Sequence, residues 1–178
     1  PCGEVTGSKF SCLLLLLCFL LTAGHKVAGR GDDPTEACLL GLRLADEGKF
    51  TESLAALKRA ISLNPAMAQA YDARARVWNR LAEYQNAILD CNKCLDLDAG
   101  FAPAYCNRAA AFFKLKQFDK ALGDADKALA LDKSPSATAA ASRAKASALI
   151  ELGKAKEALE DCDKSIELEP KFPDSYYI

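Results

Sequence analysis

The chain has 178 residues, 51% hydrophobic side chains and a net charge of -1, enough for one globular unit or a short stacked array. Its balanced charge gives no basic excess for a nucleic-acid partner and no acidic run of the kind found in disordered tails. Alanine is abundant while Val and Thr are scarce, which favours helices over strands.

In chain order, the first feature is the apolar run at residues 10–23, with Lys9 before it and the small pairs Ala23-Gly24 and Ala28-Gly29 after it. A basic start, a short apolar stretch and small residues at its end describe a cleavable secretory signal, assigned to residues 1–24, with a Gly- and charge-rich linker at 25–33. A membrane-spanning helix needs roughly 20 apolar residues, so membrane contact is expected only through this signal, or through a short anchor if it is retained. The expected location is the secretory pathway, in the endoplasmic reticulum lumen or outside the cell. It becomes cytoplasmic if the segment is not native. The chain opens on Pro1 rather than Met, and residues 173–178 read as the start of a further helix, so a fragment of a longer protein is expected.

From residue 34 onward the chain repeats every 34 residues. Phe50, Tyr84 and Phe118 keep that step, as do Leu63, Leu97 and Leu131, and the pairs Tyr71/Tyr105 and Ala87/Ala121. Such a period means stacked copies of one supersecondary unit. The copies fall at residues 34–67, 68–101, 102–135 and 139–172, with a partial copy at 173–178. Pro65 and Pro170 lie three periods plus 3 residues apart, which puts an insertion among the breakers and cap residues of 134–138. Apolar positions recur at three and four, so each copy reads as two amphipathic helices, for example 102–115 and 118–131 in the third. Glu47-Gly48-Lys49 and Glu151-Leu152-Gly153-Lys154 suit tight turns with Gly at positive φ, and Pro65 and Pro170 close second helices. Small residues at Gly41, Ala75, Ala109 and Ala146 are expected where paired helices touch, with Trp78, Phe112 and Leu149 filling the space between them.

The pattern resembles the tetratricopeptide repeat. The first copy carries Leu40-Gly41-x-x-Leu44, Ser53, Leu57, Ala60 and Pro65 in its slots. The second carries Tyr71, Arg74-Ala75, Trp78, Ala87, Cys91 and Cys94; the third Tyr105, Arg108-Ala109, Phe112, Ala121, Ala125 and Ala128. The fourth has Ser142, Lys145-Ala146, Leu149, Ala158, Cys162, Ser165 and Pro170. Ala99 and Lys133 stand where the closing Pro is expected, and Ser142 replaces the first aromatic. The resemblance implies an all-α, right-handed solenoid of antiparallel helix pairs. It also implies a non-catalytic scaffold that holds a peptide, client or partner helix in a concave groove lined by first helices. By slot, that groove would show Asp72, Arg76, Asn79 and Arg80, then Cys106, Asn107, Ala110, Phe113 and Lys114, then Arg143, Ser147, Ile150 and Glu151. Asn107 would hydrogen-bond a peptide backbone and Phe113 would pack on an apolar anchor.

Members of the family that act as co-chaperones hold chaperone C-termini in a carboxylate clamp. Tyr105-Cys106-Asn107-Arg108-Ala109 resembles its middle element, but Asp72 and Arg76 on one side and Ala140 and Ala144 on the other do not, so that ligand is not expected. A signal followed by tandem repeats is similar in layout to the N-terminal part of lumenal J-domain co-chaperones. The competing expectations are a targeting or regulatory fragment of a longer enzyme, or a structural subunit of an assembly.

No catalysis, cofactor, metal or nucleic acid is expected. The single histidine, His25, precedes the array, which excludes His-based nucleophilic sites and His-containing zinc patterns within it. Cys91-Asn92-Lys93-Cys94 has redox spacing but falls inside a second helix at slots for small core residues, so buried thiols are expected, with a disulfide to Cys106 or Cys162 as the alternative. Asp119, Asp124 and Asp126 are expected to be solvated.

Overall fold

The computed structural model describes residues 33–132 and 134–168. The signal, all of the linker but Asp33, Pro170 and the partial fifth copy lie outside the described residues. Eight helices follow one another among the described residues: α1 (Pro34–Asp46), α2 (Phe50–Leu63), α3 (Ala68–Arg80), α4 (Tyr84–Leu97), α5 (Ala102–Lys114), α6 (Phe118–Leu131), α7 (Pro135–Glu151) and α8 (Ala155–Leu168). The third-copy helices agree with the periodicity to within one residue. None of the described helices is long and apolar enough to cross a membrane.

One backbone device closes every hairpin. The amide of Lys49 donates to the carbonyl of Leu44 at 2.8 Å, and the same bond recurs at Glu83 to Trp78, Gln117 to Phe112 and Lys154 to Leu149. The residue before each donor sits in the left-handed region: Gly48 at φ 77°, Ala82 at 60°, Lys116 at 58° and Gly153 at 75°. This is the Schellman ending, which satisfies carbonyls that a helix terminus would otherwise leave open. A second device separates the repeats. Asn64, Asp98 and Asp132 each accept, through their side-chain oxygen, the amide two residues on, at 3.1, 3.0 and 2.8 Å. These Asx turns end the second helices even where Ala99 and Lys133 replace the closing proline.

Each helix packs on its hairpin partner and on the next repeat. Each odd-numbered helix also packs on the next odd one, and among the described residues no comparable packing joins successive even ones. The stack therefore curves with α1, α3, α5 and α7 inside. Most buried side chains are alanines, including Ala75, Ala109 and Ala146 at 0% exposure, so helices approach closely and the core is thin. Leu57 and Leu149 are its largest fully buried members, and Trp78 and Phe112 are half-buried between helices. Gly41 is needed: a Cβ there would stand 2.5 Å from Cγ of Leu57. Stability in such a stack is summed from neighbouring interfaces rather than drawn from one centre.

The insertion does not form a loop. Pro135 opens α7 with its pre-set φ, Ser134 is extended at ψ 147°, and Thr138 donates its amide to the carbonyl of Ser134 at 2.9 Å. The extra residues thus add a turn to α7 ahead of residue 139.

Candidate partner-binding groove

The inner surface is built from positions that recur along α1, α3, α5 and α7. One column runs Cys38, Asp72, Cys106 and Arg143; beside it stand Arg76, Ala110 and Ser147, and toward the turns Arg80, Lys114 and Glu151. Three of the expected groove residues meet in a network. Asn107 donates from Nδ2 to Oδ1 of Asp72 at 2.8 Å, and Asn79 donates from Nδ2 to the carbonyl of Asn107 at 2.8 Å. These bonds join α3 to α5. One N–H of the Asn107 side-chain amide, which sequence reasoning assigned to a peptide backbone, is therefore held by the protein itself, and Asp72 and Asn79 are half-buried struts of the groove floor.

The groove edge is different. Arg76, Arg80, Ala110, Lys114, Ile150 and Glu151 are exposed, and Phe113 is half-buried. Arg76 reaches Asp46 on α1 at 3.5 Å, a solvent-facing pair of the sort that contributes under about 1 kcal/mol. Arg143 is half-buried beside Cys106, where its positive charge works against the burial that raises the thiol pKa.

Burial dominates the titration of the floor. It pushes Asp72 above the usual carboxylate range, while the Asn107 hydrogen bond and the Arg76 charge pull the other way. The same burial raises the thiols, with the Asp72 charge adding to it: Cys94 to about 12 and Cys106 to about 11. A raised carboxyl pKa means that the folded state holds the proton more tightly than the unfolded chain. Its contribution to stability is present below the unfolded value of about 3.9 and is lost as pH rises through the folded one. Asp72→Asn keeps the acceptor for Asn107 and removes the charge. It is expected to raise the thermal midpoint near neutral pH, to leave it unchanged in acid, and to shift the pH profile of Cys106 alkylation downward.

Cys91 and Cys94 are fully buried on α4, against Ala75, Ala87 and Ala111 in one case and Tyr71, Leu95 and Ala104 in the other. They fill small-residue slots as expected, and the described cysteines are free thiols. Among the described residues no His, Cys, Asp and Glu side chains group to hold a metal ion.

The expectation for Asp124 is corrected. It is buried at 5% exposure and accepts from Nε and Nη2 of Arg108 at 2.7 and 2.8 Å. Asp90 does the same for Arg74 at 2.7 Å twice, and also accepts from Nε1 of Trp78 at 3.1 Å. In the fourth repeat Lys145 lies 3.7 Å from Asp161 and 3.0 Å from Asp126 of the preceding repeat. Arg108 likewise reaches back to Asn92 at 2.6 Å. These cations stand behind the groove and fix the second, third and fourth hairpins, and Arg108 and Lys145 also staple theirs to the preceding repeat. The signal was in the sequence: a base and an Asp recur 16 residues apart in phase with the repeat.

Family models described as tetratricopeptide repeat match residues 38–100, 102–135 and 144–172, together more than two thirds of the chain. No curated protein sequence matches it significantly. Among solved structures it is similar to the pilF protein of Pseudomonas aeruginosa, with 21% identity and TM-score 0.73 over 80% of this chain and 64% of that one, slightly less than two thirds of its length. It is also similar to the OM64 TPR domain of Arabidopsis, with 26% identity and TM-score 0.59 over 66% of this chain and 98% of that one. A third is YrrB, described as a TPR protein with an unusual peptide-binding site, with 16% identity and TM-score 0.56 over 85% and 94% of the two chains.

Proposed function

This chain belongs to the tetratricopeptide repeat family, and from that premise we propose that it is a protein-interaction scaffold that holds a peptide, client segment or partner helix along the inner faces of α3, α5 and α7. The observation that carries the reading is the division of labour in the groove. Asp72, Asn79 and Asn107 are spent on fixing the spacing of α3 and α5, which leaves Arg76, Arg80 and Lys114 exposed over a floor that is already rigid. A pre-organised surface binds with less ordering cost. YrrB, which shares the architecture and is described as having a peptide-binding site, supports the class of ligand. Selection of peptides on the whole chain tests it. Arg76→Glu with Arg80→Glu is expected to weaken the selected peptides at least about tenfold, near 1.4 kcal/mol, with no change in helix content. Unaltered affinity would refute the reading.

The finer reading is a co-chaperone-like holder of unfolded clients in the secretory pathway. The apolar run at residues 10–23 ahead of the array supports it. Expression in a eukaryotic cell and sequencing of the mature N-terminus decides: a new start in the Ala23 to Gly29 region of a lumenal or secreted product agrees with it, and an intact cytosolic chain does not.

A further inference from the structure

The hairpin turn of the third repeat shares the backbone of the other three but departs from them in charge. The corresponding turns hold Asp46-Glu47-Gly48-Lys49, Arg80-Leu81-Ala82-Glu83 and Glu151-Leu152-Gly153-Lys154; this one holds Lys114-Leu115-Lys116-Gln117, with no acidic residue. Lys116 occupies the left-handed position at φ 58° that glycine fills in the first and fourth repeats. Ala82 holds the same position in the second repeat, so what sets Lys116 apart is its long cationic side chain. Next to it the rings of Phe113 and Phe118 stand 5.6 Å apart and tilted by 58°. Nζ of Lys114 lies 5.9 Å from the Phe113 ring.

Two adjoining hollows share Lys116 and Phe118. One, of about 190 Å³, is bounded by Phe113, Lys114 and Glu151. The other, of about 390 Å³, runs along Gln117, Asp119, Lys120 and Leu152. The first falls below the roughly 300 Å³ of a small-molecule site and suits one large side chain. Among the described residues no carboxylate pairs with Lys114 or Lys116, whereas Lys49 and Lys145 both have acidic partners.

We infer that this turn is an anchor site for an extended segment of a partner protein carrying a large apolar side chain flanked by acidic residues. The apolar side chain enters the smaller hollow and packs against the paired Phe113 and Phe118 rings, and the carboxylates meet Lys114, Lys116 and Lys120. The site continues the groove edge, since Phe113 and Lys114 belong to both, and the inference rests on the part of the proposed function that makes this array a polypeptide-binding scaffold.

The test uses the whole chain and labelled Gly/Ser peptides carrying one Phe between Glu residues, with a Phe-to-Ser control and a Glu-to-Lys control, read by fluorescence anisotropy. Lys116→Gly preserves the positive φ, so folding is kept and the thermal midpoint should stay level or rise. Affinity for the Phe-Glu peptide should fall about fivefold or more, and both control peptides should bind more weakly than it does. Phe118→Leu should reproduce the loss. Unchanged affinity in Lys116→Gly, equal binding of the Glu-to-Lys peptide, or no binding by any of these peptides overturns the assignment. If Arg76→Glu with Arg80→Glu abolishes binding while Lys116→Gly does not, the turn site falls and the groove reading stands. If only Lys116→Gly acts, the turn site stands and the groove reading falls.

Discussion

Asp90→Ala is expected to cost about 3 kcal/mol, the low end of the range for breaking a buried ion pair, because the Arg74 side chain keeps an edge toward water. The carboxylate accepts two bonds from Arg74 and one from the Trp78 indole. Its removal strands the Trp78 N–H and leaves the Arg74 guanidinium only the Tyr71 ring, 5.8 Å away. In a stacked array the loss should be felt first in the second repeat and at its two interfaces. Amide exchange in α3 and α4 should therefore speed up more than in α7 and α8, alongside the fall in midpoint. Asp119→Ala, at an exposed position, should stay within about 0.5 kcal/mol of the parent. Replacing both Arg74 and Asp90 by apolar residues of similar volume should recover much of the loss, since the pair's value lies largely in not being broken. A variant of Asp90 as stable as the Asp119 control would show that the ion pair is incidental.

Gly41→Ala and Gly123→Ala should have opposite signs although both glycines lie in helices. At Gly41 the new Cβ meets Cγ of Leu57 at 2.5 Å, Cδ2 of Leu57 at 2.8 Å and the carbonyl of Ser53 at 3.3 Å. Leu57 is 0% exposed and cannot swing aside, and Ser53 is tied down by its own hydroxyl, which donates to the Gly41 carbonyl at 2.7 Å. Overpacking of this kind costs about 1–3 kcal/mol, which outweighs the gain in helix propensity of about 0.5–1 kcal/mol. At Gly123 a Cβ meets nothing within 4 Å, so only the gain remains, about 0.5–1 kcal/mol. Denaturant midpoints of the two variants, measured side by side, separate close helix approach from helix propensity.

The architecture was legible because it is written in a repeated code. A fixed period and apolar spacing at three and four each describe one local event, and the four copies repeat them in phase, with glycine marking the hairpin turn in the first and fourth. The column of inner-face positions could be counted for the same reason. What could not be counted was use. Whether Asn107 offers its amide to a ligand or to Asp72 depends on how close α3 and α5 come, and that distance follows from alanines packed across the interface. Asp124 was misread because one carboxylate on a polar helix face looks solvated; only its phase with Arg108 marks it as buried. The residues read as an insertion at 134–138 are as good at starting a helix as at breaking one, and Pro135 at the first turn does the former.

The central claim is that the curved inner side of this stack, and not its outer side, grips another polypeptide. Hydrogen–deuterium exchange on the whole chain, with and without a peptide selected on it from a random library, tests this most directly. The account predicts that protection falls on α3, α5 and α7 and spares the outer helices α2, α4 and α6. Protection concentrated on α2, α4 and α6, or a library from which no peptide is selected, would contradict it.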